Sequence, residues 1–213
     1  MAAARHIPRT EAVSPITFLY NGTTLTVSSP AIMINPGDEV NFTNSPNSSA
    51  AINITFAANP PGVINPPGPA LFTNITGLQP GATNGQATSS GVNGSVNYKV
   101  TAGGQTFGPY AIQAGSGPLY VTINNSNSAP DPVLIPVGGT LKMYSTDGNT
   151  YNPLTWTPSN PFTTPAPGLT QVNPGVSNNL AYTDTPKLSV PYTYNFPVQS
   201  PKEGLGTGKI HVQ

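Results

Sequence analysis

The sequence predicts an all-β protein made of two tandem Greek-key β-sandwich domains. Gly, Pro or Asn interrupts nearly every window of ten residues, so helical periodicity is almost absent. Short runs of alternating apolar and polar residues recur roughly every 8–12 residues with turn residues between them, which is typical of sandwiches. Blocks of these runs also occur twice, which indicates a repeated unit.

The repeat consists of four blocks in the first half that align with four blocks in the second at offsets of 96 to 101 residues. The alignment places Gly37 on Gly138, and it places Phe42 on Met143. The paired blocks are 33–42 with 134–143, 52–56 with 152–156, 96–100 with 192–196, and 107–112 with 207–212.

The repeat divides the chain into an N-terminal arm (1–13), a first domain (14–113), a joint (114–117) and a second domain (118–213). A domain of about 100 residues is large enough to bury a core of its own. Because the joint is so short, we expect the two domains to touch rather than swing freely.

Each predicted domain contains the same succession of strands. An opening strand (16–20 or 119–123) leads to an apolar strand, a Gly turn and a further strand. We expect the strands that carry Tyr98 and Tyr194 to lie centrally, with alternate side chains pointing inward. Trp156 is the single tryptophan, and we expect it to fill the second core beside Phe196.

The composition excludes several classes of function. Charged residues make up 7% of the chain, against about 25% in an ordinary soluble protein, and the formal net charge is zero. Such a chain has no positive field to attract nucleic acid or an anionic membrane. No stretch approaches the roughly 18 apolar residues of a membrane helix, so we expect no membrane span.

Cysteine is absent, which excludes disulfides, zinc–thiolate sites and thiol catalysis. Low charge together with abundant Ser, Thr and Asn favours a secreted, periplasmic or cell-surface protein. The first ten residues lack the apolar middle of a signal peptide, so we expect none within this chain.

The order of the blocks resembles that of the cupredoxins over nearly the whole of each repeat. The residues that carry the resemblance are the Gly-turn run at 34–44, the alternating run at 52–56, the Tyr-x-Tyr strand beginning at Tyr192, and the final Gly-x-Ile-x-Val at 208–212. The resemblance implies a cupredoxin-like sandwich in each half.

The resemblance also implies where copper ligands would stand, and neither half has them. Cupredoxin copper takes two histidines and a cysteine, often with a weak methionine. The loops that would supply the second histidine and the methionine, 101–107 and 197–207, contain neither residue type. The remaining ligand positions hold Ile52 and Asn152 in place of histidine, and Val100 and Phe196 in place of cysteine. We therefore expect a metal-free frame with no cofactor.

The titratable residues do not form a recognisable catalytic group. One histidine in each of two distant regions, His6 and His211, cannot make a transition-metal site alone. Asp38 and Glu39 follow a Gly turn, where we expect a solvated acidic pair. The stretch 145–150 supplies one carboxylate, which predicts an Asp-Gly turn rather than a calcium loop. We predict that the protein is not an enzyme.

Two Pro-rich loops, 58–72 and 157–170, occupy equivalent places in the repeats. Proline stiffens a loop without helix or strand, and ordered loops on a rigid frame often carry binding. The alternative is that both loops only cover the ends of the sandwiches. The candidate binding residues are Pro60, Pro61, Pro66, Pro67, Phe72, Pro158, Phe162, Pro165 and Pro167.

Together these features predict a non-catalytic extracellular or cell-envelope protein that associates with itself or with another envelope protein. A near-zero net charge removes the repulsion that keeps proteins apart. Two alternatives stay open: a carbohydrate-binding module, in which exposed aromatic residues would contact a glycan, and a copper-binding electron-transfer protein.

Overall fold

The protein is all-β, as predicted, and the described residues form eighteen strands and no helix. Accordingly, none of them belongs to an apolar helix long enough to cross a membrane. The computed structural model describes residues 12–57, 71–88, 93–125, 127–129, 131–151, 155–157, 162–164, 172, 180–183, 191–197 and 205–212.

Nine strands of the first half form two sheets packed around one core. The strand order is β2-β1-β4-β7 in one sheet and β3-β9-β8-β5-β6 in the other. β1 runs parallel to β4, and β3 runs parallel to β9. The strands are β1 (Val13–Tyr20), β2 (Leu25–Val27), β3 (Ala31–Ile34), β4 (Glu39–Asn44), β5 (Ile52–Phe56), β6 (Ile75–Leu78), β7 (Thr83–Ala87), β8 (Gly94–Ala102) and β9 (Gln105–Ala114).

Nine further strands form two sheets in the second half. Their order is β11-β10-β13-β16-β15 and β12-β18-β17-β14, with β10 parallel to β13 and β12 parallel to β18. The strands are β10 (Leu119–Asn124), β11 (Asn127–Ala129), β12 (Val133–Ile135), β13 (Thr140–Ser145), β14 (Thr155–Thr157), β15 (Phe162–Thr164), β16 (Leu180–Thr183), β17 (Pro191–Pro197) and β18 (Leu205–Val212).

The strand order of the two halves corresponds in part; among the described residues, β6 extends the sheet beyond β5 and β15 extends the sheet beyond β16, whereas β14 and β7 are edge strands. The series β1, β2, β3 and β4 has the same neighbours as β10, β11, β12 and β13, and β8–β9 corresponds to β17–β18. The strands of Tyr98 and Tyr194, β8 and β17, each lie between two others, so the prediction that they are internal is confirmed.

Each half has its own apolar core because the strands alternate between buried and outward residues. In β1 the buried residues are Ile16, Phe18 and Tyr20, as expected for a strand with one face on a core. Burying each such side chain contributes about 1.5–3 kcal/mol. Trp156 is half-buried against the second core, which includes Phe196, and its ring centroid lies 5.4 Å from that of Tyr194.

Strand β9 contributes to both cores. Ile112 and Ala114 are buried in the first core, whereas Ala111 on the opposite face is buried in the second. The two halves therefore touch, as the short joint predicts. Gly117 in the joint lies so close to Gly94 that a Cβ would come within 2.2 Å of its backbone nitrogen.

A buried side-chain amide links the halves beside this contact. Gln113 Oε1 accepts a hydrogen bond from the Thr140 N–H at 3.0 Å, and Gln113 Nε2 donates to Thr140 Oγ1 at 2.6 Å. Gln113 is fully buried and Thr140 is 5% exposed. Both polar groups of the glutamine are thus paired where water is excluded, as buried amides require.

Candidate functional site

The end of the first half where the resemblance would place copper is packed with aliphatic side chains. Ile52 begins β5 and lies opposite Ala102 of β8, and the next inward pair is Ile54 with Val100. All four are at most 1% exposed. These groups offer no nitrogen or sulfur donor, so this end of the sandwich is part of the core.

The connection after β8 is a tight turn rather than the predicted loop over 101–107. Thr101 and Ala102 continue β8, Gln105 begins β9, and only Gly103 and Gly104 lie between the strands. Their φ angles of 55° and 78° are the left-handed values that a two-residue type I′ hairpin requires. A turn of this length has no room for the ligands that a cupredoxin loop carries.

Tyr20 closes the same end from the opposite sheet. A Cβ at Gly103 would lie 2.3 Å from Tyr20 Oη, so the glycine is also needed for the ring to fit. The hydroxyl donates to the Gly22 carbonyl at 2.6 Å, and the ring centroid lies 5.9 Å from that of Phe107. Tyr20 is 3% exposed, so no open recess remains at this position.

In the second half, Phe196 stands at the position that the resemblance gives to cysteine. Its ring is fully buried, with centroids 5.4 Å from Tyr151 and 6.2 Å from Tyr194. It also covers Gly206, where a Cβ would lie 2.2 Å from Phe196 Cε2. Asn152 and most of the loop over 197–207 lie outside the described residues.

Among the described residues, His211 and the acidic side chains do not converge. His211 is half-buried on β18, and His6 lies outside the described residues. In the part of the chain that the structure describes, no three His, Asp or Glu side chains come close enough to hold a metal ion.

The prediction of a solvated acidic pair at the first Gly turn is wrong for Asp38. Its carboxylate is only 2% exposed because it closes the turn from within. One oxygen accepts from the backbone N–H and the side-chain amide of Asn35, at 2.9 and 3.0 Å. The other accepts from the Ala12 N–H at 3.2 Å, which ties the start of the chain to the turn.

Asp147 organises the Asp-Gly turn predicted over 145–150. Its carboxylate accepts hydrogen bonds from the hydroxyls of Tyr151 and Ser145 and from the N–H groups of Asn125 and Asn149. Burial alone would raise the pKa of Asp147, but these four bonds together hold that pKa well below its usual value. The carboxylate is thus occupied by two donors of its own turn and by two, Asn125 and Tyr151, from outside it, which agrees with a structural role.

Buried tyrosines are unsuited to acid–base chemistry. Burial, with a smaller contribution from Tyr110, raises the pKa of Tyr98 far above its usual value. Among the described residues its hydroxyl has no hydrogen-bond partner. Tyr98 therefore stays protonated at any physiological pH, and its ring serves the core.

Of the predicted binding-loop residues, Phe72 is the one whose side chain the structure describes. It is 4% exposed and packs in the first core, with ring centroids 5.7 Å from Phe42 and 5.4 Å from Phe56. Phe162 begins β15, and nothing further is described of it. The predicted residues outside the described part of the chain are Pro60, Pro61, Pro66, Pro67, Pro158, Pro165 and Pro167.

The outer face of the β2-β1-β4-β7 sheet carries uncharged polar groups that sequence reasoning did not single out. Thr17 lies beside Thr43, which lies beside Thr83, so one row of hydroxyls crosses three strands. The hydroxyl oxygens of Thr43 and Thr83 are 2.9 Å apart, and Ser28 Oγ extends the row by accepting from the Thr17 N–H. Among the described residues of these four strands, Glu39 is the one charged group on this face, and the other polar groups are uncharged.

Solved structures with a cupredoxin-like fold match the chain. No protein-family model and no curated protein matches its sequence. A copper nitrite reductase from Nitrosomonas europaea is 12% identical over 96% of this chain and 94% of its own, with a TM-score of 0.36. Auracyanin from Roseiflexus castenholzii is 16% identical over 50% of this chain and 99% of its own (TM-score 0.32). A blue copper oxidase from Nitrosomonas europaea is 12% identical over 95% and 86% (TM-score 0.31).

The fold of this chain is all-β, with two mixed sheets around a core in each half, and no activity follows from its similarity to these structures. One fold hosts many unrelated functions, so function must be argued from the residues themselves.

Proposed function

We propose that the protein is a non-catalytic structural or binding protein of the extracellular space or cell envelope. It consists of two copies of one cupredoxin-like unit whose frame is kept for its shape. It associates with copies of itself, or with another envelope protein, through its outer surfaces.

The observation that supports this proposal is the packing at the end of the first half where the resemblance would place copper. Ile52 and Val100 are fully buried where copper ligands would stand, and the Gly103–Gly104 turn leaves no loop to complete a site. Because this end of the first half is core, we expect that half to bind through its outer surface. The Thr and Ser row on the outer face and a net charge of zero both favour association, because little repulsion opposes it.

The test measures association and metal content on the same purified protein. We expect the mass-average molecular weight in light scattering or sedimentation to rise with concentration. We also expect no blue colour after copper addition, and little copper by elemental analysis after desalting. A protein that stays monomeric at high concentration contradicts the association. Near-stoichiometric copper that survives deletion of residues 1–13 contradicts the metal-free frame.

A carbohydrate-binding role is the second candidate, and Trp156 favours it. This half-buried ring lies on the edge strand β14 between the exposed residues Thr155 and Thr157. An aromatic face beside hydroxyls suits stacking on a sugar. Binding on a glycan array that is lost in Trp156→Ala, by a strictly monomeric protein, would favour this role over assembly.

A further inference from the structure

We infer that the outer edge of β7 (Thr83–Ala87), which pairs with no second strand among the described residues, is the self-association surface, where it pairs antiparallel with β7 of a second copy. The pairing would join two four-stranded sheets into one continuous sheet. This inference rests on the proposed self-association and names the surface that performs it.

β7 is the longest regular edge strand among the described residues. It has five residues in unbroken register with β4, whereas the edge strand β3 has four and the edge strands β2, β11, β12, β14 and β15 have three each. β6 is interrupted by a shift in register, and the Gly77 N–H in it donates to Asn53 Oδ1. Short edge strands and irregular edge strands resist pairing with another strand, and β7 is neither short nor irregular by comparison.

The backbone of β7 points outward at three residues. At its two ends, Ala82 accepts from the Asn44 N–H and the Thr88 N–H donates to Asp38. Because hydrogen-bonded pairs alternate along an antiparallel ladder, the even-numbered residues face β4. The N–H and C=O groups of Thr83, Gly85 and Ala87 therefore face away from the sheet, and all three residues are exposed.

The sequence of β7, TNGQA, contains none of the residues that protect a sheet edge. It has no charge and no proline, and Lys or Pro on an edge is the usual defence against pairing. Gly85 at its centre carries no side chain, because the side chains of Glu39 and Asn41 on β4 occupy the space that a Cβ would take.

The edge is complementary to itself, which is why we name a second copy as the partner. A two-fold axis at Gly85 would place Thr83 opposite Ala87 of the second copy, and Gly85 opposite its equivalent. Three outward residues on each chain then exchange up to about six hydrogen bonds, and none of the paired residues is itself charged, although the Glu39 carboxylate of β4 lies beside Gly85.

Cysteine cross-linking tests the register without background, because the chain has no cysteine. Directly opposed residues have Cα atoms about 5.5 Å apart, within the range of a disulfide. We expect the double variant Thr83→Cys/Ala87→Cys to form a covalent dimer under mild oxidation. The matched controls are the two single variants. They should not cross-link, because the two-fold axis places each of these residues far from its equivalent in the second copy.

A proline variant tests the hydrogen bonds. Ala87→Pro removes an outward N–H but no bond to β4, so its unfolding midpoint should stay near that of wild type. Its dimer dissociation constant should rise about tenfold or more, because the symmetric contact loses two bonds. Ala87→Ser keeps the N–H and should dimerise like wild type.

The outcomes distinguish a failure of this inference about β7 from a failure of the proposed self-association. If the wild type self-associates but the double variant does not cross-link and Ala87→Pro dimerises normally, another surface is used and the inference is wrong. If the wild type is strictly monomeric, the self-association function itself is wrong.

Discussion

The amide of Gln113 should be worth more to stability than its number of hydrogen bonds suggests. In Gln113→Leu the apolar side chain has a similar volume, but the Thr140 N–H loses its acceptor. Thr140 is 5% exposed, so water cannot replace that acceptor readily. A buried donor left unpaired costs about 1–3 kcal/mol, and we expect the variant to lose that much unfolding free energy. The Thr140 hydroxyl loses the bond that it accepts from Gln113 Nε2 but still donates to Ser116 O, 3.5 Å away, so it adds little.

Gln86 provides a matched comparison. Its side chain accepts from the Thr73 N–H at 2.8 Å and donates to the Thr73 carbonyl at 2.9 Å, with longer bonds to Thr73 Oγ1 and Asn84. Thr73 is exposed, so water can take over these contacts in Gln86→Leu. We expect that variant to lose less than about 1 kcal/mol although it breaks more bonds.

Urea titration of the two variants, followed by circular dichroism, gives the comparison directly. The reasoning would be refuted if Gln86→Leu were destabilised as much as Gln113→Leu, because bond number rather than burial would then decide the cost. The double variant Gln113→Leu/Thr140→Val should lose less than the sum of the two single losses, because both changes remove the same contact.

Two further predictions concern turns and packing in the second half. Asp147 has a lowered pKa, so its contribution is present above its ordinary value of 3.8 and is lost as pH falls below it. The gap in unfolding free energy between wild type and Asp147→Asn should therefore narrow between about pH 5 and pH 2; a constant gap would contradict the assignment. Gly206→Ala should cost about 1–3 kcal/mol and change the near-ultraviolet circular dichroism of the aromatic cluster, because its Cβ meets Phe196. Gly148→Ala is the control. Its Cβ would meet no atom within 4 Å, so the variant should strain the turn, where φ is 81°, but leave the near-ultraviolet spectrum unchanged.

The sequence predicted the strands that have one face on a core. In the 52–56 block the alternation of Ile52, Ile54 and Phe56 coincides with β5, because burial of one face imposes a period of two. Strand β7 was not predicted, because it has no apolar face to impose such a period. Its residues, TNGQA, contain no large apolar side chain, so the pairing with β4 leaves no periodic pattern to detect.

Contacts between distant polar residues could not be predicted. Nothing in the sequence connects Gln113 with Thr140, since their pairing depends on how the halves pack. Asp38 was expected in solvent because turns are usually exposed, whereas Ala12 and Asn35 enclose it. The predicted loop after β8 became a two-residue turn because Gly103 and Gly104 can both adopt left-handed backbone angles.

The sharing of β9 gives the halves unequal roles while the chain is being synthesised. Among the described residues, every member of the first core lies between Ile16 and Ala114, so that core can close once this stretch has left the ribosome. The second core includes Ala111 and also packs against Ala31 and Tyr110, all from the first half. N-terminal domains generally fold first during translation. The finished first half thus provides the surface on which the second half, emerging later, completes its core.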